Sequence, residues 1–338
     1  VNRRALFLVG ILISAVCVWW ELREVKPSQV VDALRHSRGL GFIVLMVLTL
    51  LGFWIRAFRW RWLINSPKPL STPSLFSATM VGFMANNLLP FRLGEFVRPM
   101  VLGRREGLSK TTLFATIVVE RVIDMITLLA IFGVALWLHP ISADTAAGRL
   151  TNAGAALLLT LCAGLTIGLV ILERTPAAMG SLLDGLAARL PGTFGQRLVK
   201  MLHHFVDGLT LFRDLPRLAW VFSLSFLMFG VFALCLTVSM WALRLDVPWY
   251  AGLLMLVITA IGIMVPAAPG YIGTLNIACD AGLALFGVSK ELSVPFAWFF
   301  WAGQWIPVTL TGLWFLRREG LTLSAITQAT ESAPAPAE

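Results

Sequence analysis

The sequence predicts an all-α polytopic membrane protein, with about six full transmembrane helices and two re-entrant helical hairpins arranged as an inverted repeat. Three observations carry that prediction. Of 338 residues, 58% are apolar and only 13% charged, against roughly 45–50% and about 25% in soluble chains. The lysines and arginines punctuate apolar runs instead of forming a patch of their own, as membrane loops do. Two of the apolar runs are broken midway by proline. With a mean hydropathy of +0.81, these features exclude an ordinary soluble enzyme, a disordered chain and a nucleic-acid module. The formal net charge of +9 does not restore the last of these, because the basic residues are dispersed.

The elements follow in order. Residues 5–20, behind Arg3 and Arg4, form an apolar anchor. No small-x-small cleavage site follows them, and Val16 before Cys17 spoils a lipobox. Residues 21–38 read as a short amphipathic helix at the outer surface. The other full spans are 40–58, 112–138, 153–172, 219–243 and 295–316, each near the roughly 20 residues a crossing needs. Residues 74–89 break at Pro90 and resume to 103; residues 250–265 break at Pro266 and Pro269-Gly270 and resume over 272–286. Each half is too short to cross, and proline forbids a continuous helix through the break. Non-helical backbone at membrane depth requires protein or a watery cavity around it. The stretches 74–103 and 250–286 therefore read as re-entrant hairpins. Residues 175–217, with Leu182, Leu183, Leu186 and Leu190 at helical spacing between basic residues, read as an amphipathic segment on the inner leaflet. One transmembrane domain is expected over 1–318, with a disordered tail over 319–338.

Charge sets the orientation. With the N-terminus in the cytoplasm, 19 of the 27 lysines and arginines fall on the cytoplasmic side, seven fall opposite, and Arg121 lies within a span. This predicts an inner-membrane protein with both termini cytoplasmic, and it makes the two hairpins enter from opposite faces. Their sequences echo one another: Pro90-x-x-x-Gly94 matches Pro269-x-x-x-Gly273, and Gly107-x-Ser109-Lys110 matches Gly287-x-Ser289-Lys290. Opposed entry makes this an inverted repeat, an architecture of many secondary transporters; the alternative is chance resemblance between two Gly/Pro-rich turns.

The informative residues are polar groups where hydrocarbon should be. Glu120, Arg121 and Asp124 occupy the first half of a long apolar helix, where an Arg or Asp costs roughly 2.5–3.5 kcal/mol at the centre of an isolated span. Local pairing is available at their spacing, so the plainer alternative is an ion-pair cluster that fixes helix packing. Asn86 and Asn87 close the first half-helix, and Pro90 turns the chain. The return helix then starts with unsatisfied N–H groups beside Arg92 and Gly94, an arrangement suited to an anion. Glu95 and Arg98, three residues apart, can pair with one another or with Arg121. In the second hairpin, Pro266, Pro269 and Gly270 give an unwound turn, Gly273 stands where Gly94 does, and Asn276 and Asp280 share one face. Gln304 lies in the last span beside Trp301 and Trp305. For each of these, an ordinary interhelical hydrogen bond is the alternative.

Catalytic patterns fail. Residues 103–110 have the outline of a phosphate loop, but Ser109 stands where the motif requires glycine. There is no H-E-x-x-H, no G-x-S-x-G and no nucleophile with an evident histidine base. Cys17, Cys162, Cys235 and Cys279 lie singly in apolar runs and suit neither disulfide nor metal. No enzyme, cofactor or metal is expected.

Three motifs together, Asn87-x-Leu89-Pro90-x-Arg92-x-Gly94-Glu95-x-x-Arg98, Val119-Glu120-Arg121-x-x-Asp124, and Pro266-x-x-Pro269-Gly270-x-x-Gly273 followed by Phe286-Gly287-Val288, carry a resemblance. The chain resembles the flippase-like transmembrane domain of lysylphosphatidylglycerol synthases, the membrane half of the multiple peptide resistance factor, over about residues 5–318. The resemblance implies a lipid translocase, and because the chain stops soon after Arg318, a stand-alone member without the synthase half. A phospholipid or glycolipid is then the expected partner. A homodimer and a separate lipid-synthesising enzyme are compatible further partners that no motif demands. A lipid-modifying enzyme, a small-anion transporter and a non-transporting partner of a synthase are the competing readings.

Overall fold

A computed structural model describes residues 27–66, 68–89, 93–138, 214–264 and 269–322, with isolated helical positions between 149 and 164. The expected anchor over 5–20, nearly all of the 153–172 span and of the 175–217 segment, and the tail beyond 322 lie outside the described residues, as do Pro90, Arg92 and Pro266. Within them the chain is helical and carries no strand. We number the helices α1 (Pro27–Arg35), α2 (Gly39–Leu63), α3 (Thr72–Leu88), α4 (Gly94–Glu106), α5 (Lys110–Leu138), α6 (Leu215–Ala242), α7 (Ala251–Met264), α8 (Thr274–Ala284) and α9 (Lys290–Arg318).

Local chemistry sets the ends. The Ser71 side chain accepts from the Ser74 N–H at the start of α3, and Asp214 does the same for Arg217 at the start of α6; proline follows each cap. Gly107, at φ 70°, closes α4 in the left-handed conformation that glycine adopts without penalty.

Four long helices form a frame. Gly41 of α2 sits against Ala242, Gly52 against Phe232, and Arg59 bonds Ser225, so α6 runs antiparallel to α2. Gly303 of α9 meets Leu45, and Val308 clusters with Phe53, so α9 runs parallel to α2. Pro307 removes the N–H that would bond the Gly303 carbonyl. The Thr49 hydroxyl lies 3.4 Å from that carbonyl but shares its single proton with Leu45 O at 2.8 Å. Among the described residues, α2 and α6 are long and apolar enough to cross a membrane. Helices α5 and α9, at 29 residues each, reach roughly 43 Å at 1.5 Å per residue, but carry charges or a more polar stretch. Down one side of α2, Leu40, Ile43, Val47, Leu51 and Trp54 are exposed. A continuous apolar stripe of this kind needs an apolar solvent.

Two pairs of short helices fit inside this frame. Helices α3 and α4 run antiparallel, with Gly82 against Gly94 and Arg98, and with Ser74 bonded to Glu106 at their far ends. Helices α7 and α8 form a second antiparallel pair, with Gly262 against Ala278 and Gly282 against Met255. At 11 to 17 residues, none of these four reaches the roughly 30 Å of a bilayer core. The first pair shares its hydrophobic core with the C-terminal half of α2 and the N-terminal half of α5; the second shares one with the opposite halves. The pairs thus sit at opposite ends of the frame. Their turns approach each other near Asn87 and Gly270.

The expected 40–58 span differs in its end. Helix α2 continues to Leu63, so Arg56 and Arg59, counted from sequence as cytoplasmic loop charges, are helical and buried. They meet carboxylates inside the protein, which removes the need to terminate the helix before them.

The tightest approach is at Gly94, where a Cβ would overlap the Gly82 carbonyl oxygen and the Asn86 side chain. Gly94→Ala is expected to cost at least about 1–3 kcal/mol through overpacking against backbone. Gly133→Ala on α5, where a Cβ meets nothing within 4 Å, should be neutral or stabilising by up to about 1 kcal/mol. Thermal unfolding of both variants in detergent checks the contrast.

Candidate functional site

The charged centre is built from α5 outward. Glu120 is fully buried and lies 2.8 Å from Arg56, 3.2 Å from Arg59, 2.9 Å from Arg98 and 3.6 Å from Arg121. Asp124, one turn further, lies 2.6 Å from Arg59, 3.1 Å from Arg56 and 3.6 Å from Arg121. Two carboxylates thereby join α2, α4 and α5. Aromatic faces and hydroxyls complete the shell. Arg98 stacks 3.8 Å over the Trp60 ring, Arg56 lies 5.4 Å from the Phe83 ring, and Arg59 donates to Ser225 Oγ at 2.6 Å.

The centre keeps an excess of positive charge. Among the described residues, Arg56, Arg59, Arg98 and Arg121 outnumber Glu95, Glu120 and Asp124 by one. Several buried guanidinium donors, among them Nε of Arg56 and both Nε and Nη2 of Arg98, lack a hydrogen-bond partner among the described residues. Spare donors and an unmatched charge inside an apolar protein favour an anion.

Beside the centre lies a cavity of about 220 Å³. Its walls come from α2 (Phe53, Arg56), the first pair (Phe83, Asn87), α6 (Phe229, Phe232), the second pair (Thr259, Gly270, Tyr271) and α9 (Trp301, Gln304, Trp305). Arg56 is the charged residue of this wall and belongs to the ion cluster as well. Trp301 and Trp305 stack with centroids 5.5 Å apart, and the Trp301 indole donates to Gly270 O at 2.8 Å. That carbonyl belongs to a short turn, Pro269–Tyr271, in which Gly270 (φ 78°) and Tyr271 (φ 60°) are both left-handed. A non-glycine residue in that region is uncommon. A second, far smaller cavity of about 10 Å³ lies at the tip of the first pair, lined by Asn86, Gly94, Glu95, Arg98 and Arg121 among others.

The candidate residues read from sequence therefore divide. Asn87, Gly270 and Gln304 line the large cavity, and Asn87 Nδ2 also donates to Thr309 at 3.0 Å. Asn86 works at the turn, its Oδ1 accepting from the Gly94 N–H at 2.8 Å. Gly94, Glu95, Arg98 and Arg121 gather at the small cavity, while Glu120 and Asp124 form the ion centre. Glu95 and Arg98 do not pair with one another: Arg98 turns to Glu120, and Glu95 faces Arg121 at 3.9 Å. Pro269 opens the second turn and Gly273, at φ 91°, precedes α8. Asn276 is buried on α8 and Asp280 accepts from Ser293 on α9; neither lines either cavity. Arg56 and Arg59 escaped the sequence reading. The available signal was their three-residue spacing inside a run still flanked by Phe53, Trp54, Phe58 and Trp60.

A helical membrane protein with a buried ion centre and paired short helices is the class these features define. The chain belongs to the lysylphosphatidylglycerol synthase TM region family, which matches residues 7–312. Over 137 residues it is 24% identical to a protein named glycosyltransferase AglD from Haloferax volcanii, covering 40% of this chain and 22% of that protein. Over 137 residues it is 29% identical to a UPF0104 membrane protein from Methanothermobacter thermautotrophicus, covering 38% and 40%. The chain thus spans well under two thirds of the length of either relative. No solved structure matches.

The two carboxylate environments predict different stabilities. Glu120→Gln strips a counter-charge from three buried arginines and should cost about 3–5 kcal/mol. Glu95→Gln alters a partly exposed pair and should cost under about 1 kcal/mol. Unfolding midpoints of the two variants in the same detergent give the comparison.

Proposed function

We propose that this protein is a lipid translocase of the inner membrane, moving a phospholipid or glycolipid headgroup between leaflets while the tails stay in the bilayer. In this reading the two short-helix pairs are re-entrant hairpins related as an inverted repeat, and both termini are cytoplasmic. The single observation that supports it best is Arg56, which belongs at once to a positively biased ion centre and to the wall of a cavity between two hairpin tips. A headgroup phosphate takes the spare guanidinium donors, Asn87 and Gln304 meet its polar substituents, and the aromatic walls exclude water. Rocking of the hairpins against the long-helix frame opens the cavity to one face and then the other. Glu120 and Asp124, each held by at least three arginines, serve as fixed counter-charges and leave no free carboxylate pair for acid–base chemistry.

Purified protein in liposomes containing a fluorescent anionic phospholipid or glycolipid tests the reading. Wild type should bring label to the outer leaflet faster than protein-free vesicles, and Arg56→Gln should slow this by about tenfold or more, the worth of a charge-assisted hydrogen bond. Wild-type rates equal to protein-free vesicles for every such lipid would overturn it. A change in lipid mass after incubation would instead favour a lipid-modifying enzyme, the direction in which the partial likeness to a protein named a glycosyltransferase points.

A further inference from the structure

The small cavity at the tip of the first pair has the features of an oxyanion site already filled by the protein itself. Arg98, 3% exposed, lines it, and its Nε and Nη2 have no hydrogen-bond partner among the described residues. Arg121 lines it too, its Nε without a hydrogen bond among the described residues and facing Glu95 at 3.9 Å. Helix α4 begins at its edge with Gly94, whose N–H already donates to Asn86 Oδ1. Glu95, from the first turn of α4, lines the same cavity and faces Arg121.

Glu95 differs from the other two carboxylates of the cluster. Glu120 and Asp124 have side chains 0% and 6% exposed and sit within 3.2 Å of two or three guanidinium groups. The Glu95 and Arg121 side chains are 32% and 37% exposed, and their ion pair spans 3.9 Å. Such a pair is weakly held. The cavity has room for about one water, so a phosphate group can enter only if the Glu95 carboxylate leaves. Charge permits the exchange: a singly charged phosphate ester in place of Glu95 leaves the centre at the same net charge, whereas removing Glu95 alone raises the excess from one positive charge to two.

We propose that Glu95 is a resident stand-in for the ligand's anion, a carboxylate that holds Arg121 beside the spare donors of Arg98 until a singly charged phosphate ester displaces it and takes up both arginines. Displacement needs no bond making, since carboxylate and phosphate exchange places on the same cations. The proposal rests on the translocase reading for the source of the phosphate, and it gives that reading a reset step: as the ligand departs, Glu95 returns and expels it.

The consequence has an unusual sign. Removing the Glu95 charge should strengthen anion binding, where removal of an ordinary binding or structural residue weakens it. Binding of short-chain phosphatidylglycerol, and separately of inorganic phosphate, is measured on the protein in lipid nanodiscs of neutral phosphatidylcholine. Glu95→Gln should bind phosphatidylglycerol about fivefold or more tightly than wild type and release it more slowly in the vesicle assay. Arg121→Gln should bind more weakly than wild type. A parallel gain for inorganic phosphate assigns recognition to the phosphate itself; a gain for the lipid alone assigns it to the lipid headgroup.

Should Glu95→Gln not be recovered folded, Glu95→Ser, which keeps a polar residue in the first turn, is read the same way. Unchanged or weaker binding by a folded Glu95 variant overturns the proposal. If wild type moves lipid but the variant gains no affinity, the stand-in role alone falls. If the variant gains affinity while wild type moves no lipid, the translocase reading falls and the anion site stands.

Discussion

Burying guanidinium groups in an apolar protein is costly unless each finds counter-charge and hydrogen bonds, and this structure meets that demand at one residue. Glu120 touches arginines from α2 and α4 and from its own helix. It is therefore the point at which the first short-helix pair is fixed to the long-helix frame. Asp124 repeats three of those contacts one turn away, which orients the guanidinium planes as well as holding them. The start of α4, the small cavity and the Arg56 wall of the large one all adjoin this knot.

The two halves of the protein solve different problems with the same helical device. The first pair carries charge and is tied down by ion pairs. The second carries none at its turn, and it meets α9 through hydrogen bonds, the Trp301 indole to Gly270 O and Ser293 to Asp280. Where the two meet, the chain places one cation opposite a wall of aromatic residues. An ion held on one side of a low-dielectric space attracts opposite charge far more strongly than it would in water.

Much of this arrangement was readable from sequence, because the signals were local. Proline and glycine mark the turns through backbone sterics, so the breaks after Asn87 and around Gly270 needed no tertiary information. Run length separated the long helices from the short ones. Arg56 and Arg59 were not legible for the opposite reason. A cation near the end of an apolar run looks the same whether it faces headgroups or a carboxylate 64 residues away. The pairing choices of Glu95 and Arg98 likewise depend on which helix lies across from them. Asn276 and Asp280 share a helix face by spacing, yet Asp280 is engaged by Ser293 of α9, and spacing cannot say what stands opposite a face.

The last helix carries a feature with mechanical weight. Pro307 frees the carbonyl of Gly303, and the only help on offer from α2 is the half-share of a threonine proton. That weak link falls between Trp301 and Val308, at the level of the aromatic wall. The rung missing from its backbone ladder thus lies level with the indoles that wall the cavity, where a proline-weakened rod bends at least cost.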